Sequence, residues 1–185
     1  MHAIYLRTAR LVLRRITESD ADDLYALHND PEVMRYLNGG RPTSREVIVT
    51  ETLPAFAASG FFAAIEKRGG EFLGWFHLRP ARGGPADEPE LGYRLRRSAW
   101  GRGYATEGSR ALIDKAFRDL DARRVFAQTM AVNRRSRRVM EKCGLRHVRT
   151  FWEDWPDPID GAEHGEVEYE LRRADWEGPQ PGALV

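Results

Sequence analysis

Apolar positions along this chain switch between strand-like and helix-like spacing, and the switches fall at residues that cap or break elements. Residues 11–16 (Leu-Val-Leu-Arg-Arg-Ile) read as a short opening strand. Thr17-Glu18-Ser19-Asp20 supplies capping side chains before a helix that carries Leu24, Leu27 and His28. Pro31 ends that helix, because proline disfavours α geometry in the residue before it. A short helix near 32–36 gives way to the Asn38-Gly39-Gly40 turn, and Thr43-Ser44-Arg45-Glu46 resembles a capping box that opens a helix to about residue 58 despite Pro54. Residues 60–70 predict a strand and a tight turn, with Phe61, Phe62, Ala64 and Ile65 as its apolar content.

The second half alternates more regularly. An aromatic-rich strand over 71–78 is ended by Arg79-Pro80 and the Gly83-Gly84-Pro85 loop, and a second strand over 90–95 alternates Leu91, Tyr93 and Leu95 with Gly92 and Arg94. A Gly-rich turn leads into a helix in which Ala105, Leu112, Ala116 and Leu120 repeat at helical spacing. Residues 123–132 predict a strand, and 133–143 a helix stopped by Gly144 in the position after a helix that glycine fills best. Strands over 145–152 and 166–171, separated by the Pro156/Pro158 loop, close the chain. Strands with intervening helices imply a mixed α/β sheet with at least one parallel pair.

Composition narrows the class. At 185 residues without a Gly/Ser or Pro-rich linker, the chain is expected to form one domain over 1–185. Net charge is +1, which offers no global argument for nucleic acid or an anionic membrane. Cys143 is the single cysteine, so no internal disulfide forms and a reducing compartment is expected. Arg7 and Arg10 stand where a secretory leader would be apolar, and no run of about 18 apolar residues exists, so a cytoplasmic protein without a membrane span is expected. Charge is uneven along the chain. Residues 94–149 hold sixteen Lys or Arg against five acids, whereas 153–170 hold eight acids and no Lys or Arg.

The stretch with most chemistry in it is Trp100-Gly101-Arg102-Gly103-Tyr104-Ala105-Thr106-Glu107. Its two glycines let a backbone turn tightly and approach a ligand, and the following helix offers unpaired N–H groups and a positive dipole end. That is an anion cradle. A P-loop would carry Lys-Ser/Thr after the turn, and a dinucleotide fingerprint would want a third glycine where Gly108 is offset. One Cys and scattered His residues give no metal-ligand spacing, and no aromatics interleave the arginines of 134–138 as RNA stacking would need.

Three words in order carry a resemblance: Leu91-Gly92-Tyr93-Arg94-Leu95, then the Trp100–Glu107 turn, then Asn133-x-x-Ser136 leading to Glu141-Lys142-x-Gly144. Here the chain resembles the GNAT acetyltransferases, and more narrowly the branch that includes the ribosomal-protein N-terminal alanine acetyltransferases. The resemblance implies a GNAT fold: a central, mostly antiparallel twisted sheet with one splayed parallel pair, flanked by helices. It implies acetyl-CoA as co-substrate, with no metal. The pantetheine arm would lie along the 90–96 strand as a pseudo-strand, against Tyr93 and Leu95, with Arg97 just beyond. Backbone N–H groups of Arg102, Gly103, Tyr104, Ala105 and Thr106 would hold the pyrophosphate. Asn133 and Ser136 would contact the pantetheine, and Arg138, within the Arg134/Arg135/Arg137/Arg138 cluster, would meet the 3′-phosphate.

The implied reaction is direct attack of a primary amine on the acetyl thioester in a ternary complex. An ammonium cannot attack, so a proton acceptor is required. Glu90 is the first candidate, because it begins the strand that borders the thioester, and His77 on the adjacent strand is the second. A backbone N–H in the 93–95 stretch would stabilise the oxyanion. Many family members place a Tyr seven residues after the Asn to protonate the leaving thiolate; here that residue is Met140, and Ser136 is the residual candidate. Met140 is also what supports the alternative of a non-catalytic acyl-CoA-binding sensor. The implied acceptor is a protein N-terminus or a small-molecule amine, and Trp152, Trp155 and the acidic 153–170 segment are candidates for a cation-attracting wall. Homodimers are common among resembling proteins, and nucleic acid is not an expected partner.

Overall fold

A computed structural model describes residues 3–178. Its strands are β1 (Ile4–Arg7), β2 (Leu11–Arg15), β3 (Phe61–Glu66), β4 (Phe72–Pro80), β5 (Pro89–Leu95), β6 (Arg124–Met130), β7 (Arg146–Phe151) and β8 (Glu166–Arg172). They form one sheet in the order β1-β2-β3-β4-β5-β6-β8-β7. Every neighbouring pair is antiparallel except β5 with β6. The helices are α1 (Ala21–His28), α2 (Pro31–Asn38), α3 (Arg45–Val47), α4 (Leu53–Ala58), α5 (Tyr104–Asp119), α6 (Arg134–Lys142) and α7 (Arg173–Glu177).

The alternation within β4 shows how the sheet sorts its two faces. Phe76 and Leu78 enter the larger core with Leu112, Ile113 and Phe117 of α5. Trp75 turns the other way, into a second core with Leu24 and Leu27 of α1, Ile48 and Leu53. The helices from α1 to α4 therefore cover one face and α5 the other. Gly108 allows the close approach of α5: a Cβ there would overlap the Phe76 ring. Gly108→Ala should therefore lower stability by about 1–3 kcal/mol through overpacking, measured by denaturant unfolding. An unchanged midpoint would mean the ring can move aside.

Two local features differ from the sequence expectation. The helix expected over 45–58 is interrupted by a wide π turn, Ile48–Thr52, in which the Leu53 N–H donates to the Ile48 carbonyl. Pro54 has no N–H to continue an α ladder and its ring crowds the preceding turn, which accounts for the widening. The edge strand β1 and the terminal α7 were not expected at all. Both are short, and each makes an aromatic contact with distant sequence: Tyr5 stacks on Phe62 with ring centroids 3.9 Å apart, and Trp176 packs on Phe117 at 5.2 Å.

The parallel pair positions the site. β4 and β5 stay paired from Pro80↔Pro89 to Gly74↔Leu95, whereas β5 and β6 share one register pair, Glu90↔Phe126. Beyond Glu90 the two strands part, and the β6-facing edge of β5 has no strand on it.

Candidate active site

At the mouth of this gap lies the start of α5. Gly101 and Gly103 both adopt left-handed backbone, with φ of 70° and 84°. Gly103 is the N-cap, and no side chain caps the helix behind it. The first-turn N–H groups of α5 are thus left without the acceptors that a Ser or Asp cap would supply. Gly101, Arg102 and Gly103 are exposed, so the cradle opens to solvent.

The rest of the chain braces this turn. The Trp100 indole donates to the Leu95 carbonyl at 2.8 Å, tying the turn to the end of β5. Arg135 lies over the outer face of Trp100, 5.1 Å from a ring centroid. Glu107 accepts from Thr8 Oγ1 (2.6 Å), the Arg10 N–H (2.8 Å) and Arg10 Nε (2.7 Å). Arg10 also donates to the Arg102 carbonyl at 2.9 Å and stacks on buried Tyr104. These bonds hold the Glu107 carboxyl below its ordinary value. Arg10 escaped the sequence reading because its partner is 97 positions away. Only Glu107, inside the turn motif, signalled that an anchor was needed.

On β5 the side chains divide between the two faces. Glu90, Gly92 and Arg94 share one face with their β4 partners Arg79, His77 and Trp75. Glu90 borders a cleft of about 300 Å³ lined also by Phe126, Gln128, Arg149 and Glu168. Its carboxylate has no hydrogen-bond or ion-pair partner among the described residues. Burial raises its pKa, opposed in part by the Arg79 charge across the strand pair and reinforced by Glu168. Glu168 behaves oppositely: Arg124, Arg149 and Gln128 bond to it and lower its pKa. His77 sits over Gly92, its Nδ1 buried without a partner, and burial together with Arg79 and Arg94 pushes its pKa down to about 3. The imidazole is neutral at pH 7 and a weak proton acceptor there.

On the opposite face, the Tyr93 hydroxyl donates to Ser136 Oγ at 3.2 Å and so joins β5 to the first turn of α6. Burial raises the Tyr93 pKa to about 12, which keeps the phenol protonated. Asn133 caps α6: its Oδ1 accepts from the Ser136 N–H (3.3 Å) and its Nδ2 donates to Thr129 Oγ1 (3.1 Å). Met140 is buried in the core and brings no hydroxyl.

The candidate cofactor residues fall into two groups. Tyr93, Leu95, Arg102, Gly103, Tyr104, Ala105, Thr106, Asn133 and Ser136 cluster around the gap and the α5 turn. Arg97 and Arg138 stand at its margin, where Arg97 pairs with Asp30 at 2.8 Å and Arg138 is exposed on α6. Arg137 of the same cluster is committed to the fold through the Tyr169 hydroxyl and the Ala131 carbonyl. The acidic 153–170 segment likewise divides. Glu168 and Glu170 are neutralised by Arg124 and its neighbours, while the loop from Glu153 to Glu163 forms a separate surface basin beside exposed Trp155. Among the described residues no cluster of His, Cys, Asp and Glu could hold a metal, and no helix is long and apolar enough to cross a membrane.

One further residue, read in sequence only as a helix position, occupies this region. His28 of α1 is buried, accepts from the Trp75 indole at 3.2 Å, and has its pKa pushed down to about 3 by burial and Arg94. Its proton binds the unfolded chain near pH 6.5 but the native state only near 3, so stability should fall as pH drops between those values. Thermal midpoints from pH 7 to 5 should decline less in His28→Gln than in the parent; parallel curves would refute that assignment.

An uncapped helix start beside a splayed parallel pair is the frame of a CoA-dependent acyltransferase. The description "Acetyltransferase (GNAT) domain" matches residues 10–146, and the chain belongs to this family of acetyl-CoA-dependent N-acetyltransferases. It is 38% identical over 181 residues to the FsC-acetyl coenzyme A-N(2)-transacetylase of Aspergillus fumigatus, covering 92% of this chain and 77% of that one. Over 89 residues it is 32% identical to the putative ribosomal N-acetyltransferase YdaF of Bacillus subtilis, 48% of each chain. Its fold is also that of the spermidine N-acetyltransferase of Vibrio cholerae solved with CoA and spermine: TM-score 0.75, 16% identity, 89% of this chain and 96% of that one.

Proposed function

We propose that this protein acetylates a primary amine, on a small molecule or a protein N-terminus, by direct attack on acetyl-CoA with Glu90 as the general base. The observation that carries the proposal is the unpaired, partly buried Glu90 carboxylate, with its raised pKa, at the point where β5 and β6 part. An ammonium arriving in the cleft finds a proton acceptor with no competing cation bonded to it. A raised carboxyl pKa brings the base nearer to the amine it must deprotonate. His77, held neutral near Gly92, suits shaping of the amine's path better than proton uptake.

The donor side follows from the same frame. N–H groups of Arg102 to Thr106 bind the pyrophosphate, and the free edge of β5 at Tyr93 and Leu95 takes the pantetheine. Asn133 and Ser136 line the pantetheine from α6, and Arg138 is the exposed cation for the 3′-phosphate. A β5 backbone N–H stabilises the tetrahedral oxyanion. Ser136 then protonates the leaving thiolate and regains a proton from solvent, in place of the hydroxyl that Met140 lacks, while the Tyr93 O–H stays protonated and orients Ser136 Oγ. The name of the Aspergillus relative, an N(2)-transacetylase, supports a small-molecule amine over a ribosomal protein, because that match spans nearly the whole chain. Thermal unfolding with acetyl-CoA tests the donor half. A saturable rise in midpoint is expected, since a ligand that binds only the native state stabilises it; no rise at millimolar acetyl-CoA would overturn the proposal.

A further inference from the structure

Arg94 is a cation without an anion. Among the described residues no carboxylate reaches it, and its Nε is sealed from solvent with no hydrogen-bond partner. Its polar neighbour is His28, whose Nε2 and Nδ1 lie 3.2 and 3.4 Å from Arg94 Nη1. That neighbour serves it poorly. An indole N–H only donates, so the Trp75 bond to His28 Nε2 requires the lone pair there and leaves the proton on Nδ1. Arg94 therefore shares one lone pair with Trp75, against five N–H donors of its own. The remaining support is the Trp75 face, 4.9 Å from the guanidinium carbon. A partly buried charge left in this state costs stability unless something completes it.

Its place in the fold says what completes it. Arg94 and Glu90 lie on the same face of β5, with the His77 ring seated over Gly92 between them, and their Cα atoms are separated by about 13 Å at strand spacing. Around them are the aromatic rings of Phe61, Trp75 and His77, in contact with one another. An amine directed at Glu90 would carry its next substituents over the outer edge of the His77 ring toward the guanidinium. A second ammonium there would be repelled, whereas carboxyl oxygens would be bound by an unused donor fork.

We propose that the acceptor carries a carboxyl group, as free carboxylate or as an ester or amide carbonyl, within a few atoms of its reactive amine, and that Arg94 binds those oxygens. This rests on the acetyl-transfer reading above. Phenylalanine, its methyl ester and phenethylamine form a matched set for the aromatic-lined face, differing only in that group. With acetyl-CoA, kcat/KM for one or both carboxyl-bearing probes should exceed that for phenethylamine by about tenfold or more. The acid and ester arms identify which form is preferred. In Arg94→Met the gap should collapse, chiefly through KM, while stabilisation by acetyl-CoA persists. Without ligands, Arg94→Met should unfold at the parent's temperature or above it, because an unmet charge has been replaced by an apolar chain of similar length. A fall of several degrees would mark Arg94 as a structural residue and overturn the inference. Equal use of the three probes, or use of none while acetyl-CoA still stabilises the protein, would overturn it too and leave acetyl-CoA binding standing. Absence of stabilisation by acetyl-CoA would instead remove the reading on which it rests.

Discussion

Glu90→Gln lowers turnover by about 10²–10⁴-fold while leaving stabilisation by acetyl-CoA intact. The substitution keeps the shape of the side chain and removes its capacity to take a proton. Glu90 has no ion pair to lose, so the fold should tolerate the change. The pH profile carries a second signature. Burial raises the carboxyl pKa, so the parent's rate should fall, as pH drops, at a higher pH than an ordinary glutamate would give. That limb should vanish in the variant. Unchanged turnover across pH would dismiss Glu90 as the base.

Gly103→Val should abolish stabilisation by acetyl-CoA. Gly103 is left-handed, with φ 84°, and caps α5 with no side chain in front of the first-turn N–H groups. A branched side chain there strains the backbone by about 1–2 kcal/mol and stands where a pyrophosphate would approach. The parent should gain about 2.7 kcal/mol at a ligand concentration one hundred times Kd, and the variant little of it. Gly83→Ala controls for strain alone: φ is 75° and nothing lies within 4 Å of its Cβ position, far along the chain from the turn. It should lose stability but keep the acetyl-CoA response. A full response in Gly103→Val would remove this turn from the donor site.

Much of this architecture was legible because its signals are local. The strand with Leu91, Tyr93 and Leu95 and the helix after Trp100 each announce themselves within a dozen residues, and observed bounds fall within one or two residues of the expected ones. Gly108 illustrates a residue whose presence was noticed and whose reason was not: it lets α5 rest on Phe76 of β4, a contact between helix and sheet. The arrangement of charges was illegible for the same reason. Arg10 with Glu107, and Arg94 with His28, meet only after the strands order themselves. Trp100 read as a family marker in sequence; in the fold its indole latches the turn to Leu95. The acidic 153–170 run looked like one surface, but alternate residues of β8 turn Glu168 and Glu170 into the Arg124 network and leave the loop apart.

The most direct test of acetyl transfer follows thiol release from acetyl-CoA across a panel of amino acids, amino-acid esters, simple amines and peptides, with the acetylated product quantified in the same reactions. Equal amounts of free CoA thiol and acetylated amine, dependent on the amine and lost in Glu90→Gln, are predicted. Saturable acetyl-CoA binding with no thiol release from any amine would contradict transfer and describe a protein that senses acyl-CoA without using it.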